Sequence, residues 1–148
     1  MIRVHGTSVA LGGDGVLLRG PSGCGKSDLA LRLIEGGASL IADDQTEVLP
    51  SGKYVIASPP ETIAGQIEAR GVGIVRVPFV ARIPLRLVVD LVAPESVERM
   101  PEDEQVEILG RFVPRLALAP FEASTPAKIR LALIALAERT AHPISVAS

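Results

Sequence analysis

Apolar residues dominate the first turn-free stretch, Ile2 to Leu11, which reads as a strand or strand pair, and Gly12-Gly13-Asp14-Gly15 form the turn that sends it into Val16-Leu17-Leu18-Arg19. The period then changes. Beyond a glycine-rich stretch from Gly20 to Gly25, Leu29, Ala30, Leu33 and Ile34 recur at helical spacing, and Gly36-Gly37 stop the helix they predict. Ser39-Leu40-Ile41-Ala42 is a brief apolar run of the kind found in buried strands, and Asp43-Asp44 stand where its carboxyl end meets solvent. Thr46 to Ile56, interrupted at Pro50-Ser51-Gly52, predicts a hairpin. Pro60-Glu61-Thr62 then begins a short helix reaching about Glu68, which Arg70 to Gly73 end.

Ile74 to Val80 and Leu85 to Val92 predict two more strands, the second long and Val-rich enough to be central. The acidic stretch Glu95 to Glu107, flanked and interrupted by Pro94 and Pro101, reads as a solvated surface segment. Phe112 to Leu118 reads as an edge strand because Pro114 cannot donate to a ladder. Thr125 caps a last helix that has Pro126 at its first position and runs through Arg139. This alternation of strands and helices predicts an α/β fold, and 148 residues suit one domain spanning 1–148.

Composition narrows the function classes. Hydrophobic residues at 47% and charged ones at 22% predict a real core, while 3% aromatics leave Val, Ile, Leu and Ala to fill it and argue against base stacking on aromatic platforms as a nucleic-acid activity. Fifteen basic against seventeen acidic residues give a net charge of −2 with no basic block, so neither a nucleic acid nor a membrane surface is an expected partner. Cys24 stands alone, which excludes an internal disulfide, and no signal-like or membrane-spanning apolar run is present; the expected location is cytoplasmic.

The strongest chemical signal is Gly20-Pro21-Ser22-Gly23-Cys24-Gly25-Lys26-Ser27, which fits G-x-x-x-x-G-K-[ST] between a predicted strand and a predicted helix. Its glycines let successive N–H groups turn toward a phosphate, and the helix N-terminus adds partial positive charge. Lys26 then meets the β and γ phosphates of ATP, and Ser27 offers a hydroxyl to Mg²⁺. Asp43 and Asp44 can approach from the neighbouring strand top, one holding Mg²⁺ through water and the other taking a proton from an attacking hydroxyl. His5, Glu68 and Arg70 are weak signals singly; Glu68 and Arg70 also fit a helix cap with an ion pair.

Taken together, Val4-His5-Gly6, the phosphate loop, Ala42-Asp43-Asp44 and Glu68-Ala69-Arg70-Gly71-Val72-Gly73-Ile74 stand in the order and approximate spacing of HPr kinase/phosphorylase. The chain resembles that family's catalytic domain, well over roughly residues 4 to 80. The resemblance implies the HPr kinase/PEP carboxykinase-like fold, a mixed sheet with flanking helices. It implies an ATP- and Mg²⁺-dependent kinase that phosphorylates a serine of HPr, the phosphocarrier of the bacterial sugar phosphotransferase system. The family also removes that phosphate with inorganic phosphate, giving pyrophosphate, and tends to form hexamers.

Carried over by position, the resemblance gives His5, Lys26, Asp43, Asp44 and Arg70 catalytic roles and makes Ser27 and Glu68 metal ligands. Asp44 is favoured as proton acceptor, with Asp43 the close alternative. Two departures stand out. The family's additional N-terminal domain has no counterpart ahead of His5, so the chain looks like a form without it. Where the family has Gly-Arg-Asn before its late helix, this chain has Pro120-Phe121-Glu122-Ala123-Ser124-Thr125-Pro126-Ala127-Lys128, with no arginine. Lys128 can replace charge but not the planar fork, which weakens the phosphorylase expectation. Two alternatives remain at this stage: a small-metabolite kinase, and a nucleotide-sensing module without catalysis.

Overall fold

The computed structural model of the protein describes residues 1–141; residues 142–148 of the expected 1–148 domain lie outside the described residues. In chain order the elements are β1 (Ile2–His5), β2 (Thr7–Leu11), β3 (Asp14–Arg19), α1 (Lys26–Glu35), β4 (Ser39–Ala42), β5 (Gln45–Ser51), β6 (Tyr54–Ser58), β7 (Gln66–Ala69), β8 (Gly73–Arg76), β9 (Ile83–Leu91), β10 (Glu104–Ile108), β11 (Arg111–Leu118) and α2 (Thr125–Ala141). A nine-stranded mixed sheet runs β1-β5-β6-β9-β3-β2-β4, with β11 and β10 joined to it at β9. β9 is central, as its length and valines predict. One edge pairs with β3 in parallel, while the other serves β6 at its start and β11 at its end.

Successive side chains of a strand point to opposite faces, and in β3 and β9 both faces are buried. Val16, Leu18, Leu87 and Val89 pack with Leu29 and Leu33 of α1 and Ile129 and Leu133 of α2. Leu17 and Val88 face the other way, onto Val48, Val55, Ile108 and Val113 of the curled sheet arms. Both helices therefore cover one face, and the sheet covers the other with itself. β2 is antiparallel to both β3 and β4, so β3, β4, β9 and β11 all end on one edge. Ligands bind α/β sheets at that carboxyl edge.

Several elements differ from the sequence expectation. Ile2 to Leu11 is a strand pair, as the sequence allowed, but its two strands are broken at Gly6 and pair with different neighbours. No helix spans residues 60–68: a single 3₁₀ turn, Glu61–Ile63, gives way to β7, which pairs with β8 in a separate hairpin. Ile67 and Ala69 alternate inward with a period of two, so burial selects a strand where Pro60 suggested a helix start. The strand expected over Ile74 to Val80 stops at Arg76, although Phe79 makes an isolated bridge to Leu40.

β11 is internal rather than an edge strand, because residues 104–108 of the acidic segment form β10 outside it. Pro114 is tolerated since the parallel ladder to β9 begins one residue later, at Arg115. Thr125 does not cap α2. Its buried hydroxyl donates to the carbonyl oxygen of Ala119 at 2.6 Å, which ties the helix start to the end of β11.

Just below the carboxyl edge, Asp90 of β9 joins three strands. The Arg19 guanidinium donates to both of its oxygens at 2.7 and 2.9 Å, and Arg115 donates to one at 2.7 Å. Burial alone would raise the Asp90 carboxyl, but the hydrogen bonds and charges of Arg19 and Arg115 outweigh it and hold the carboxyl below its ordinary value. A depressed carboxyl stabilises the fold above its unfolded pKa, and that contribution is lost as the pH falls through the folded value. Asp90→Asn is expected to cost about 1–3 kcal/mol near neutrality. In urea denaturation the gap from the parent should stay level down to about pH 4 and narrow below it; a gap that widens in acid would contradict the assignment.

Candidate active site

The loop between β3 and α1 carries the phosphate-binding pattern, and its local geometry has clear causes. Gly25 sits at the head of α1 with φ 109°, in the left-handed region. A Cβ there would also stand 2.8 Å from Cζ of Phe121. Pro21, Ser22 and Gly23 are exposed at the loop tip, whereas Cys24 is half-buried against the apolar cluster beneath, a free thiol filling space. Lys26 is only 6% exposed, and its ammonium donates to the carbonyl oxygens of Gly20 at 2.8 Å and Pro21 at 3.0 Å. The loop thus holds a satisfied cation at its centre, and an entering polyphosphate can replace those two carbonyls.

Asp43, 8% exposed, is the most heavily bonded carboxylate of the site. Oδ1 accepts from the Ser27 hydroxyl at 2.6 Å and from the Thr7 hydroxyl at 3.0 Å, and Oδ2 accepts from the backbone N–H of Glu68 at 2.9 Å. Asp44 differs in every respect. Its backbone is left-handed at φ 67°, pinned by its N–H donating to Thr7 Oγ1 at 3.0 Å and its carbonyl accepting from Gly6 N at 2.8 Å. Its carboxylate side chain is 63% exposed and, among the described residues, meets only His5, whose Nε2 lies 3.0 Å from Oδ1. Gly6 permits this approach, because a Cβ there would stand 2.7 Å from Leu17 Cδ1 and 2.9 Å from the Leu18 carbonyl oxygen.

The structure therefore brings His5, Lys26, Ser27, Asp43, Asp44 and Glu68 to one place. Glu68 arrives on a strand rather than at a helix end, with its backbone N–H bonded to Asp43 and its side chain exposed. Arg70, exposed in the β7–β8 turn, makes no hydrogen bond or ion pair among the described residues. Nor do three His, Cys, Asp or Glu side chains converge as a metal cage among the described residues. Ser27, Asp43 and Glu68 supply oxygen donors of the hard type. Such a sparse set suits Mg²⁺, which keeps waters and shares substrate phosphates.

Three contributors were not identified from the sequence. Thr7 is fully buried and bridges both aspartates. Arg32 of α1, held by Asp28 at 3.0 Å, reaches the late segment and donates to the carbonyl oxygens of Pro120 and Glu122. Phe121 lies between those carbonyls and against the phosphate loop. Lys128, a candidate replacement for the family's late arginine, is paired with Glu122 at 3.2 Å.

The chain is similar to known proteins. The family model described as HPr Serine kinase C-terminal domain matches residues 1–129. The chain belongs to that family. The HPr kinase/phosphorylase of Caldicellulosiruptor bescii is 38% identical over 77% of this chain and 40% of its own length. That of Caldanaerobacter subterraneus is 40% identical over 74% of this chain and 36% of its own length. The chain thus spans well under half the length of the curated HPr kinase/phosphorylases it matches. The solved HPr(Ser) kinase/phosphatase of Coxiella burnetii superposes with a TM-score of 0.83 at 26% identity, covering 95% of this chain and 99% of that one. The HPr kinase fold is therefore shared over nearly the whole chain.

Thr7 offers a direct check on how the acidic pair is held. Thr7→Val keeps the shape but removes a donor to Asp43 and leaves the Asp44 N–H unpaired, which should cost about 1–3 kcal/mol. Thr7→Ser should recover most of it. Equal melting temperatures for the Val variant and the parent would contradict the bridge.

Proposed function

We propose that the chain is an ATP- and Mg²⁺-dependent protein-serine kinase whose substrate is an HPr-like phosphocarrier. The observation that carries the reading is the contrast between the two aspartates. Asp43 is enclosed by three donors, while Asp44 presents an exposed carboxylate paired with His5. Serine is a poor nucleophile until a base removes its proton, and Asp44 is the carboxylate with room to reach an incoming side chain. Ser27, Asp43 and Glu68 would hold Mg²⁺, which would supply positive charge against the negative charge that develops during transfer.

Each residue then has a defined task. Lys26 moves from the Gly20 and Pro21 carbonyls to the phosphates and follows charge during in-line transfer. Ser27 and Asp43 hold the metal side, with Glu68 as a further ligand. Asp44 takes the serine proton, and His5 orients that carboxylate through its ring nitrogen. Arg70, on an exposed turn, faces the docked carrier and lends charge to the transferring group. In the reverse direction inorganic phosphate takes the phosphoryl group and Asp44 returns the proton. That direction is the weaker one, because Arg32 is engaged with carbonyls and Lys128 with Glu122. A reducing, cytoplasmic setting fits the free thiol of Cys24, and no described helix is long and apolar enough to cross a membrane.

Incubating the purified chain with γ-labelled ATP, Mg²⁺ and HPr should label a serine of HPr, and excess chelator should stop it. Asp44→Asn should lower the transfer rate by about 10² to 10⁴ while nucleotide still binds. Label appearing on a small metabolite, or no transfer despite ATP binding, would overturn the reading. Lys26→Ala, folded but fully active, would do so as well.

A further inference from the structure

We propose that Phe121 is the platform on which the base of the bound nucleotide stacks, an inference that rests on the reading of this loop as an ATP site. β11 ends on the same sheet edge as β3, and the return from it to α2 passes the phosphate loop. The tip of the Phe121 ring lies against Gly25: Cζ and Cε1 would be 2.8 and 3.1 Å from a Cβ at that position. A base is tethered to its phosphates through one sugar, so its platform must stand on the rim of the loop that holds them. Phe121 stands there. The other aromatics are placed elsewhere: Tyr54 beneath Lys53 and Arg86, Phe79 beside Gly65, and Phe112 on β11.

Exposure and rigidity point the same way. Phe121 as a residue is 68% exposed, so it is not a core residue. Yet the backbone that carries it is fastened on both sides. Arg32 donates to the carbonyl oxygens of Pro120 and Glu122, Thr125 donates to that of Ala119 at 2.6 Å, and Lys128 holds the Glu122 carboxylate at 3.2 Å. An apolar ring held in water by a fixed frame is preorganised for a flat ligand, because little ordering remains to oppose binding. Stacking reads the π face of a base and not its edge, so adenine and guanine nucleotides should both bind.

The test compares ligands with and without a base. Calorimetric titration of the intact chain with MgATP and with magnesium tripolyphosphate should show Phe121→Ala weakening ATP binding about ten- to hundredfold with tripolyphosphate unchanged. Phe121→Tyr should bind ATP like the parent. The chain contains no tryptophan, so Phe121→Trp gives a single fluorophore that MgATP should quench and tripolyphosphate should not. Equal weakening of both ligands in Phe121→Ala would assign the ring to propping the loop and overturn the inference. Unchanged ATP affinity would overturn it too. If the parent bound neither ligand, the ATP-site reading itself would fall, an outcome distinct from both.

Discussion

The Asp43 carboxylate is the tie on which the rest of the site depends. Its two oxygens gather donors from three separate elements: the Thr7 hydroxyl from β2, the Ser27 hydroxyl from the first turn of α1 and the Glu68 N–H from β7. A buried carboxylate without such partners would be costly, and with them it is held rigid. That tie sets the separation of the phosphate loop from the acidic edge and anchors the β7–β8 hairpin, which packs Ile67 into the core below. It also leaves Asp43 little freedom to take part in proton transfer. The adjacent Asp44 is turned outward by its left-handed backbone, and the proposed mechanism gives that task to it.

The sheet makes this arrangement possible. β3 and β9 are buried on both faces, and the phosphate loop springs from the end of β3 within that packed core. Arg19, the residue before the loop, is fixed to Asp90 at the end of β9, and Arg115 fixes β11 to the same carboxylate. The loop and the Pro120–Glu122 segment therefore rise from strands that share one ion-paired base. Arg32 then joins the two above it.

Much of the site was legible because its chemistry is local in sequence. The loop pattern, His5-Gly6 and Asp43-Asp44 are short motifs at strand ends, and each lies where the motif implied. Glu68 was expected at a helix end and lies on a strand, since four residues of alternation in Gln66–Ala69 are too few to outweigh a Pro-Glu-Thr helix start. Thr7 gave no signal: it reads as one hydroxyl in an apolar strand, and its partners lie 36 and 37 positions later. Arg32 and the Pro120 carbonyl, 88 residues apart, meet only once the sheet has brought α1 and the end of β11 together. The edge-strand reading of Phe112 to Leu118 failed for a related reason, because the covering strand β10 lies in a segment whose charge spoke for solvent.

The division of labour between the two aspartates is the central claim, and binding rather than turnover tests it most directly. Calorimetry of MgATP binding together with thermal melting should separate Asp43→Asn from Asp44→Asn. The account predicts that Asp43→Asn lowers the melting temperature and weakens Mg²⁺-dependent nucleotide binding, because it disrupts the tie among Thr7, Ser27 and Glu68. Asp44→Asn should change neither. The opposite pattern, with Asp43→Asn binding and melting like the parent while Asp44→Asn loses both, would contradict it.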